Sequence, residues 1–554
     1  MLRLYLSDVV LGFAAFRLAL AAVTLLGLVL LWRWPRAGAA LALLLGVNIA
    51  CWAAYRAPLQ RPYALGVGGD RGFNLGMAAS TAAGNSPFEH TQVGFHSPEP
   101  FWNVVVATLA WHRPERVPWA YDAVTPISLL AVGLGLYFGL RRGDGEAEGW
   151  ERVLMVFGVL GLASLSMSPQ PPTPAFWMSN FFFKPNHGTA FGVLGVVAGL
   201  ASRPRIPVIA LGAVMGLLAW VFLMSWAYVL PGLLLGMLLK PRTERDWRAL
   251  ALAVGLSALV AAPYVRHLSV DYAPSQAHGA ATHMWDDQRG LPLAIPNWST
   301  LDLGPLLTLG VAGLWLFARR RTPRDCVVLG MALAAGGLWL VSIPAAFLGA
   351  APEPDDLHYY LRFTLALAAG AGLAAVARHV ETQRGLRIGR GHVLALAACL
   401  PFSFPSYWDP PSMDRYYAES LRPVGPRIVA YAQWVRENTP RDAVFAAGKT
   451  AATYIPALAG RRVLLADAGE LRPRNYEERK EAERILLTAE DPELVRRTAQ
   501  TFGVRYVAID PELVDEYRAR GFANIARSAA YRTVFANAAV RIVEVLPPSE
   551  RNGS

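Results

Sequence analysis

Hydrophobic and polar positions divide this chain into two parts. From residue 6 to about residue 406, long apolar runs alternate with short basic loops. The runs fall at about 6–31, 37–55, 124–140, 153–167, 188–201, 206–220, 222–239, 249–266, 303–318, 326–349, 360–377 and 392–406. A bilayer core is crossed by about 18 or more apolar residues in a helix, and such stretches recur along this part. Beyond residue 411 the pattern changes. PRIVAYAQWVREN repeats its apolar residues at helical spacing, whereas DAVFAAG, RRVLLAD, VRYVAID and VRIVEV are short β-like runs. YEERKEAERILLTAEDPELVRRTAQTF reads as one or two helices between them. The pattern predicts a polytopic α-helical membrane domain over 1–411, with about twelve transmembrane helices. It predicts a soluble α/β domain over 412–554.

Composition sharpens this reading. Of 554 residues, 54% are hydrophobic and 17% charged, with a mean hydropathy of +0.30. Soluble chains carry roughly 25% charged residues. The net charge of +11 is concentrated at helix ends, so no nucleic-acid partner is expected. The first apolar run is too long for a signal-peptide core, and is read as a transmembrane helix. Cys51, Cys326 and Cys399 all fall in apolar runs without metal-ligand spacing, so neither a disulfide nor a zinc site is expected.

Charge also orients the chain. Basic clusters stand at Arg33/Arg36, Arg141/Arg142, Arg203/Arg205, Lys240/Arg242/Arg245, Arg319–Arg321 with Arg324, and Arg384/Arg387/Arg390. All become cytoplasmic, as the positive-inside rule asks, if the chain reverses between the runs at 206–220 and 222–239. The outer loops are then 56–123, 168–187, 267–302 and 350–359, and the C-terminal domain is extracytoplasmic. These loops are rich in Pro, Trp and His. The expected location is the inner or plasma membrane, with the chemistry on the outer face.

The first outer loop carries GVGGDRGFNLGMAASTAAGN, residues 66–85. Asp70 stands ahead of a predicted short helix, Phe73–Ala83, closed by Gly84. The loop continues through SPFEHTQVGFHSPEPFWN into the next span. Asp70 suits either a catalytic base or a helix N-cap. Lys184, in NFFFKPNHGTA, and Arg362, in EPDDLHYYLRFTLALAAG, are cations at the outer ends of spans. Intramembrane cations are often functional, and the alternative for both is snorkelling to the interface. On a helix His358 and Arg362 share a face. The outer tryptophans Trp102, Trp111, Trp119, Trp177, Trp285 and Trp298 suit an interfacial belt or stacking on sugars.

An acid at the head of a loop of juxtamembrane helices, the FHSPEPFWN turn and the tail WVRENTPRDAVFAAG…FGVRYVAID…VRIVEV together resemble GT-C membrane glycosyltransferases. That superfamily includes the protein O-mannosyltransferases and aminoarabinose transferases. The resemblance implies inverting transfer of a sugar from a polyprenyl-phosphate-linked donor to a glycan, lipid or protein acceptor outside the cytoplasm, within membrane lipids. It makes Asp70 the base. Lys184, His187, His358 and Arg362 become donor-phosphate-binding residues. Family members often carry a second acid near the first, whereas Arg71 follows here, so Glu89, His96 and Glu99 are the secondary acid/base candidates. No cofactor is expected. The loop VRHLSVDYAPSQAHGAATHMWDDQRG holds three histidines and three aspartates, but their spacing fits no defined metal site. Two other readings remain open at this stage: a transporter or flippase of a lipid-linked saccharide, and a non-catalytic scaffold for envelope-polymer assembly.

Overall fold

The structure, a computed structural model, describes residues 2–56, 69–141, 145–164, 185–275, 300–347, 354–399, 424–466, 473–522 and 524–547. In chain order the helices are α1 (Leu2–Arg33), α2 (Ala37–Arg56), α3 (Gly69–Ala82), α4 (Pro100–Leu109), α5 (Val117–Gly139), α6 (Glu146–Leu160), α7 (Pro185–Ala201), α8 (Val208–Val221), α9 (Leu223–Leu239) and α10 (Trp247–Arg266). They continue with α11 (Thr300–Arg320), α12 (Pro323–Phe347), α13 (Pro354–Arg384), α14 (Arg390–Cys399) and α15 (Pro426–Asn438). By contact density the chain forms two units. One comprises 1–58, 125–264 and 288–416, and the other 59–124, 265–287 and 417–554.

The first unit is helical. Four helices among the described residues are long and apolar enough to cross a membrane: Pro114–Gly139, Trp247–Ser275, Pro323–Ser342 and Leu357–Arg384. Shorter apolar helices include Ala37–Ala50, Asn186–Ala201, Val208–Val221 and Leu223–Leu239. Small residues let the backbones approach where lipid supplies no hydrophobic drive, as in other membrane helix pairs. A Cβ on Gly199 of α7 would fall on the Gly139 carbonyl of α5, and one on Gly330 of α12 would strike the Gly236 backbone of α9. Gly158 of α6 packs as closely on Ala366 of α13.

Helices α8 and α9 break at Phe222, whose backbone is extended (φ −163°, ψ 107°). Lys240, just past α9, donates its Nζ to the Ala201 carbonyl at the end of α7 (2.7 Å). A continuous helix rising about 1.5 Å per residue would carry Lys240 far from there. The chain therefore reverses at Phe222, as the charge pattern requires. The basic loops then meet at one end of the unit. Arg390 donates to the Trp32 carbonyl (3.2 Å), Arg152 to that of Tyr137 (2.8 Å), and Arg378 to that of Ala147 (3.3 Å). Cys326 Sγ, buried, donates to Leu239 O (3.5 Å).

The second unit carries a mixed sheet built from the tail. Its elements follow in order as β1 (Val444–Ala447), α16 (Lys449–Tyr454), β2 (Arg462–Val463), α17 (Tyr476–Thr488), α18 (Pro492–Phe502), β3 (Val504–Ile509), α19 (Pro511–Ala519), β4 (Tyr531–Ala536) and β5 (Arg541–Val545). The strand order is β2-β1-β3-β5-β4. β1 runs parallel to β2 and β3, and β5 antiparallel to β3 and β4. Four strands match the β-like runs of the sequence. The fifth, β4, went unread because it alternates only weakly; as an edge strand it has one hydrogen-bonded neighbour, and its residues are half-buried or exposed. Val507, Leu486, Leu487, Val495 and Val543 form the core under the sheet.

The outer loop belongs to this same unit. Val463 N donates to the Thr91 carbonyl (2.8 Å) and Val93 N to the Val463 carbonyl (3.1 Å), so residues 91–93 extend the edge of the sheet beside β2. Helix α3 packs on the turn at 455–460. There Gly460 (φ +66°) lies so close to the Ala79 carbonyl that any side chain would clash.

Candidate functional site

Helix α3 begins at Gly69, four residues earlier than the predicted Phe73. Gly72 does not interrupt the helix, so Asp70 lies inside the first turn rather than ahead of it. That removes the N-cap position for Asp70 but keeps it where a carboxylate is favoured by the helix dipole. The Asp70 side chain lies outside the described residues, as does Lys184 altogether.

The three secondary candidates lie on a compact turn following α3. His90 N donates to the Phe95 carbonyl, and Ser97 N to that of Phe88, both at 2.8 Å. Glu89, half-buried, pairs with Arg462 of β2 at 3.3 Å. His96 lies edge-on to His267, with ring centroids 5.8 Å apart. His267 in turn bonds the Ser97 carbonyl through Nε2 (2.8 Å) and Asp271 through Nδ1 (3.2 Å). Glu99 stands at the N-cap of α4, where its carbonyl accepts from Asn103 N (3.3 Å). Glu89 and His96 thus sit among contacts that tie the loop together. Buried beside them, His90 has its pKa lowered to about 3, first by burial and then by Arg479. It stays neutral and accepts from Gln92 N (2.9 Å).

In the helical unit, of the predicted phosphate residues, His187 stands on α7, and His358 and Arg362 stand on α13. The His187 ring lies 4.1 Å from that of Phe222 and 5.9 Å from that of Tyr359. Beneath it Tyr360 bonds Ser225 (2.7 Å) and stacks on Tyr228, while Phe191 stacks on Phe363. His187, Phe191, Phe222, Ser225, Tyr359 and Tyr360 line a crevice too narrow for a water molecule. Arg362, 2% exposed, donates Nη1 to the Ala163 carbonyl (2.5 Å). His358 is buried toward Trp339 of α12, at 6.2 Å between rings. So His187 and Tyr359, three residues before Arg362, meet across α7 and α13.

The tail contains Gly448-Lys449-Thr450 between β1 and α16, a strand-to-helix order that a phosphate loop would share. Here an acid occupies the place. Asp510 accepts from Ala451 N (2.9 Å) and caps α19 through Leu513 N (2.8 Å), and Thr450 donates to Glu512 (2.6 Å). Burial raises the Asp510 pKa, opposed by these two backbone bonds. Among the described residues no group of three or more His, Cys, Asp and Glu gathers as a metal-binding set.

Solved structures resemble the overall fold. ArnT from Cupriavidus metallidurans, bound to undecaprenyl phosphate, aligns with a TM-score of 0.50 at 15% identity, over 91% of this chain and 97% of that one. The oligosaccharyltransferase of Archaeoglobus fulgidus in its apo form aligns with 0.50 at 14% identity, over 86% of this chain and 70% of that one. The chain shares the overall fold of these two proteins. The archaeal protein with zinc and sulfate gives 0.48 at 15% identity, and there this chain spans about two thirds (66%) of the partner's length. A family of unknown function, DUF6541, matches residues 299–546. No curated protein matches the chain by sequence.

Within this fold, three features escaped the sequence. Arg461 and Arg479 are buried cations of the tail, and the sequence reading singled out neither. Trp102 is buried rather than part of an interfacial belt, whereas Trp111 and Trp119 are exposed. Left-handed φ at both Trp111 (+56°) and His112 (+53°) carried no sequence signal, since neither is a glycine.

Proposed function

We propose that this chain is an integral-membrane glycosyltransferase that moves a sugar from a polyprenyl-phosphate carrier to an extracytoplasmic glycan, lipid or protein acceptor. The observation that carries the proposal is the alignment with ArnT over nearly the full length of both chains, in a structure that holds undecaprenyl phosphate. In the proposed step the Asp70 carboxylate takes the proton of an acceptor hydroxyl. That oxygen forms a bond to the anomeric carbon of the sugar as the bond from that carbon to the phosphate oxygen breaks. The phosphate keeps the electron pair and leaves on its lipid, and the anomeric configuration inverts. A positioned base is worth about 10²–10⁴-fold in rate. Arg362 and Lys184, with His187 and His358, stabilise the charge that grows on the leaving phosphate.

The single acid, followed by Arg71, supports a monophosphate donor that needs no divalent ion. Chelation with EDTA is expected to leave the rate unchanged. The test of the transferase reading is incubation of purified protein with undecaprenyl- and dolichyl-phosphate sugars and candidate acceptors, followed by mass spectrometry. A sugar mass gained by an acceptor, together with free polyprenyl phosphate, is the expected result. Movement of the intact lipid-linked saccharide across proteoliposomes without cleavage would overturn it.

A further inference from the structure

A second cleft lies wholly within the tail-bearing unit, of about 470 Å³ and lined by Gly94, Ser275, Arg474, Asn475, Glu478 and Arg479, with Pro274 at its rim. Three chain segments build it. The Arg474 backbone N–H donates to the Ser275 carbonyl (2.7 Å), which fixes the wall formed by residues 273–275 to the start of α17. Arg479, 4% exposed, forms part of the lining from behind. Its guanidinium donates to Asn475 Oδ1 (2.7 Å), to the Leu464 carbonyl (2.9 Å) and to the Val93 carbonyl. Every one of these acceptors is neutral.

The charge of Arg479 is thus held in place without being cancelled. Burial pulls its pKa down to about 10, which leaves it cationic at neutral pH, and no carboxylate offsets it among the described residues. Gly94 keeps the lining open on that side: it adopts φ +65°, and a Cβ there would lie 3.4 Å from Arg479 Nη2. Arg474 is exposed, and its side chain makes no bond among the described residues. Two cations therefore meet one acid, Glu478, in a cleft of ligand size. The volume far exceeds what a lone phosphate needs. Asn475, the Ser275 hydroxyl and the Glu478 carboxylate offer the mixed donors and acceptors that sugar hydroxyls use.

We infer that this cleft binds an acidic sugar, with the carboxylate or phosphate of the sugar on Arg474 and its hydroxyls on Asn475, Ser275 and Glu478. That the ligand is anionic follows from the two arginines alone. That the anion is borne on a sugar rests on the transferase reading, and would make the cleft a docking site for an acidic glycan.

The test uses the full-length protein in detergent, titrated by calorimetry with methyl glucuronide, methyl glucoside and acetate. Methyl glucuronide is expected to bind at least about 10-fold more tightly than either of the others, as charge-assisted arginine pairing requires. Arg474→Gln should weaken glucuronide binding by about 10-fold, and Arg474→Lys should recover part of it. Arg474 is exposed, so both variants keep the fold; an unchanged far-UV spectrum checks this. Glucoside binding equal to glucuronide, or an unaffected Arg474→Gln, overturns the site. Acetate binding equal to glucuronide overturns the sugar assignment. No donor lipid enters the assay, so glucuronide binding that depends on Arg474, in a protein that transfers no sugar from any donor, would fail the transferase reading alone.

Discussion

Two clusters of buried arginine, one in each unit, are held in opposite ways. In the helical unit, Arg324 (3% exposed) donates to Glu151 at 2.6 Å, and Arg320 reaches Glu151 at 2.9 Å and Asp325 at 3.1 Å. Two cations and two acids cancel there, tying α6 to α11 and α12. In the tail, Arg461 donates to the Thr439 hydroxyl (3.1 Å) and to the carbonyls of Ala459, Arg436 and Thr439 at 2.8–3.0 Å, and Arg479 also meets neutral acceptors. Desolvation, first among the causes, lowers both pKa values to about 10. The first arrangement is a lock whose members share their partners. The second leaves positive charge for something else to use.

Substitutions can break this contrast, and the largest effect belongs to the lock. Glu151→Ala removes one of the two acids that Arg320 and Arg324 share, leaving both cations on Asp325 alone, and should cost about 3–5 kcal/mol, read from thermal unfolding in detergent. A loss under about 1 kcal/mol would mean the pairs are decorative. Next comes the environment of Arg479, which is sensed by His90. Its folded pKa of about 3 lies below the ordinary 6.5, so below pH 6.5 the unfolded chain binds a proton that the folded chain refuses. Stability is then present above pH 6.5 and drains as pH falls. Wild type should lose about 2 kcal/mol more than His90→Asn between pH 7 and pH 5, an order-of-magnitude figure from about 1.4 kcal/mol per unit. Parallel curves for the two proteins would contradict the burial of His90, with Arg479 beside it. The smallest effect is expected at the half-exposed Glu89–Arg462 pair, where Arg462→Gln should change stability by about 0.5 kcal/mol or less.

These regions also differ in how much their sequence discloses. In the helical unit, apolar length locates the helices, and the alternation of basic loops forces the reversal at Phe222 that Lys240 and Ala201 display. The same arginines that orient the chain turn out to have a second task, since Arg320 and Arg324 of one basic cluster are tied to Glu151. Positive-inside counting has no means of seeing an acid 169 residues away. In the tail, PRIVAYAQWVREN matches α15 residue for residue, because an amphipathic period is local. The union of the first outer loop with the sheet edge was not legible. It runs through backbone groups of Thr91, Val93 and Val463, which leave no side-chain signature. Arg479 hid in the charged run EERKEAER for a related reason, since only its carbonyl partners distinguish it from its solvated neighbours. Of the candidate site, the placement of Asp70 in the first turn of α3 and the approach of His187 to Tyr359 are visible, while the roles of both rest on chemistry still to be measured.

The central claim is that Asp70 is the base of a sugar transfer. Its most direct test is the single-turnover rate of purified wild type and Asp70→Asn with a polyprenyl-phosphate sugar and an accepted acceptor, after both are shown to bind the donor equally. A drop of about 10²–10⁴-fold with unchanged donor affinity is the predicted result. Equal rates for the two proteins would contradict it.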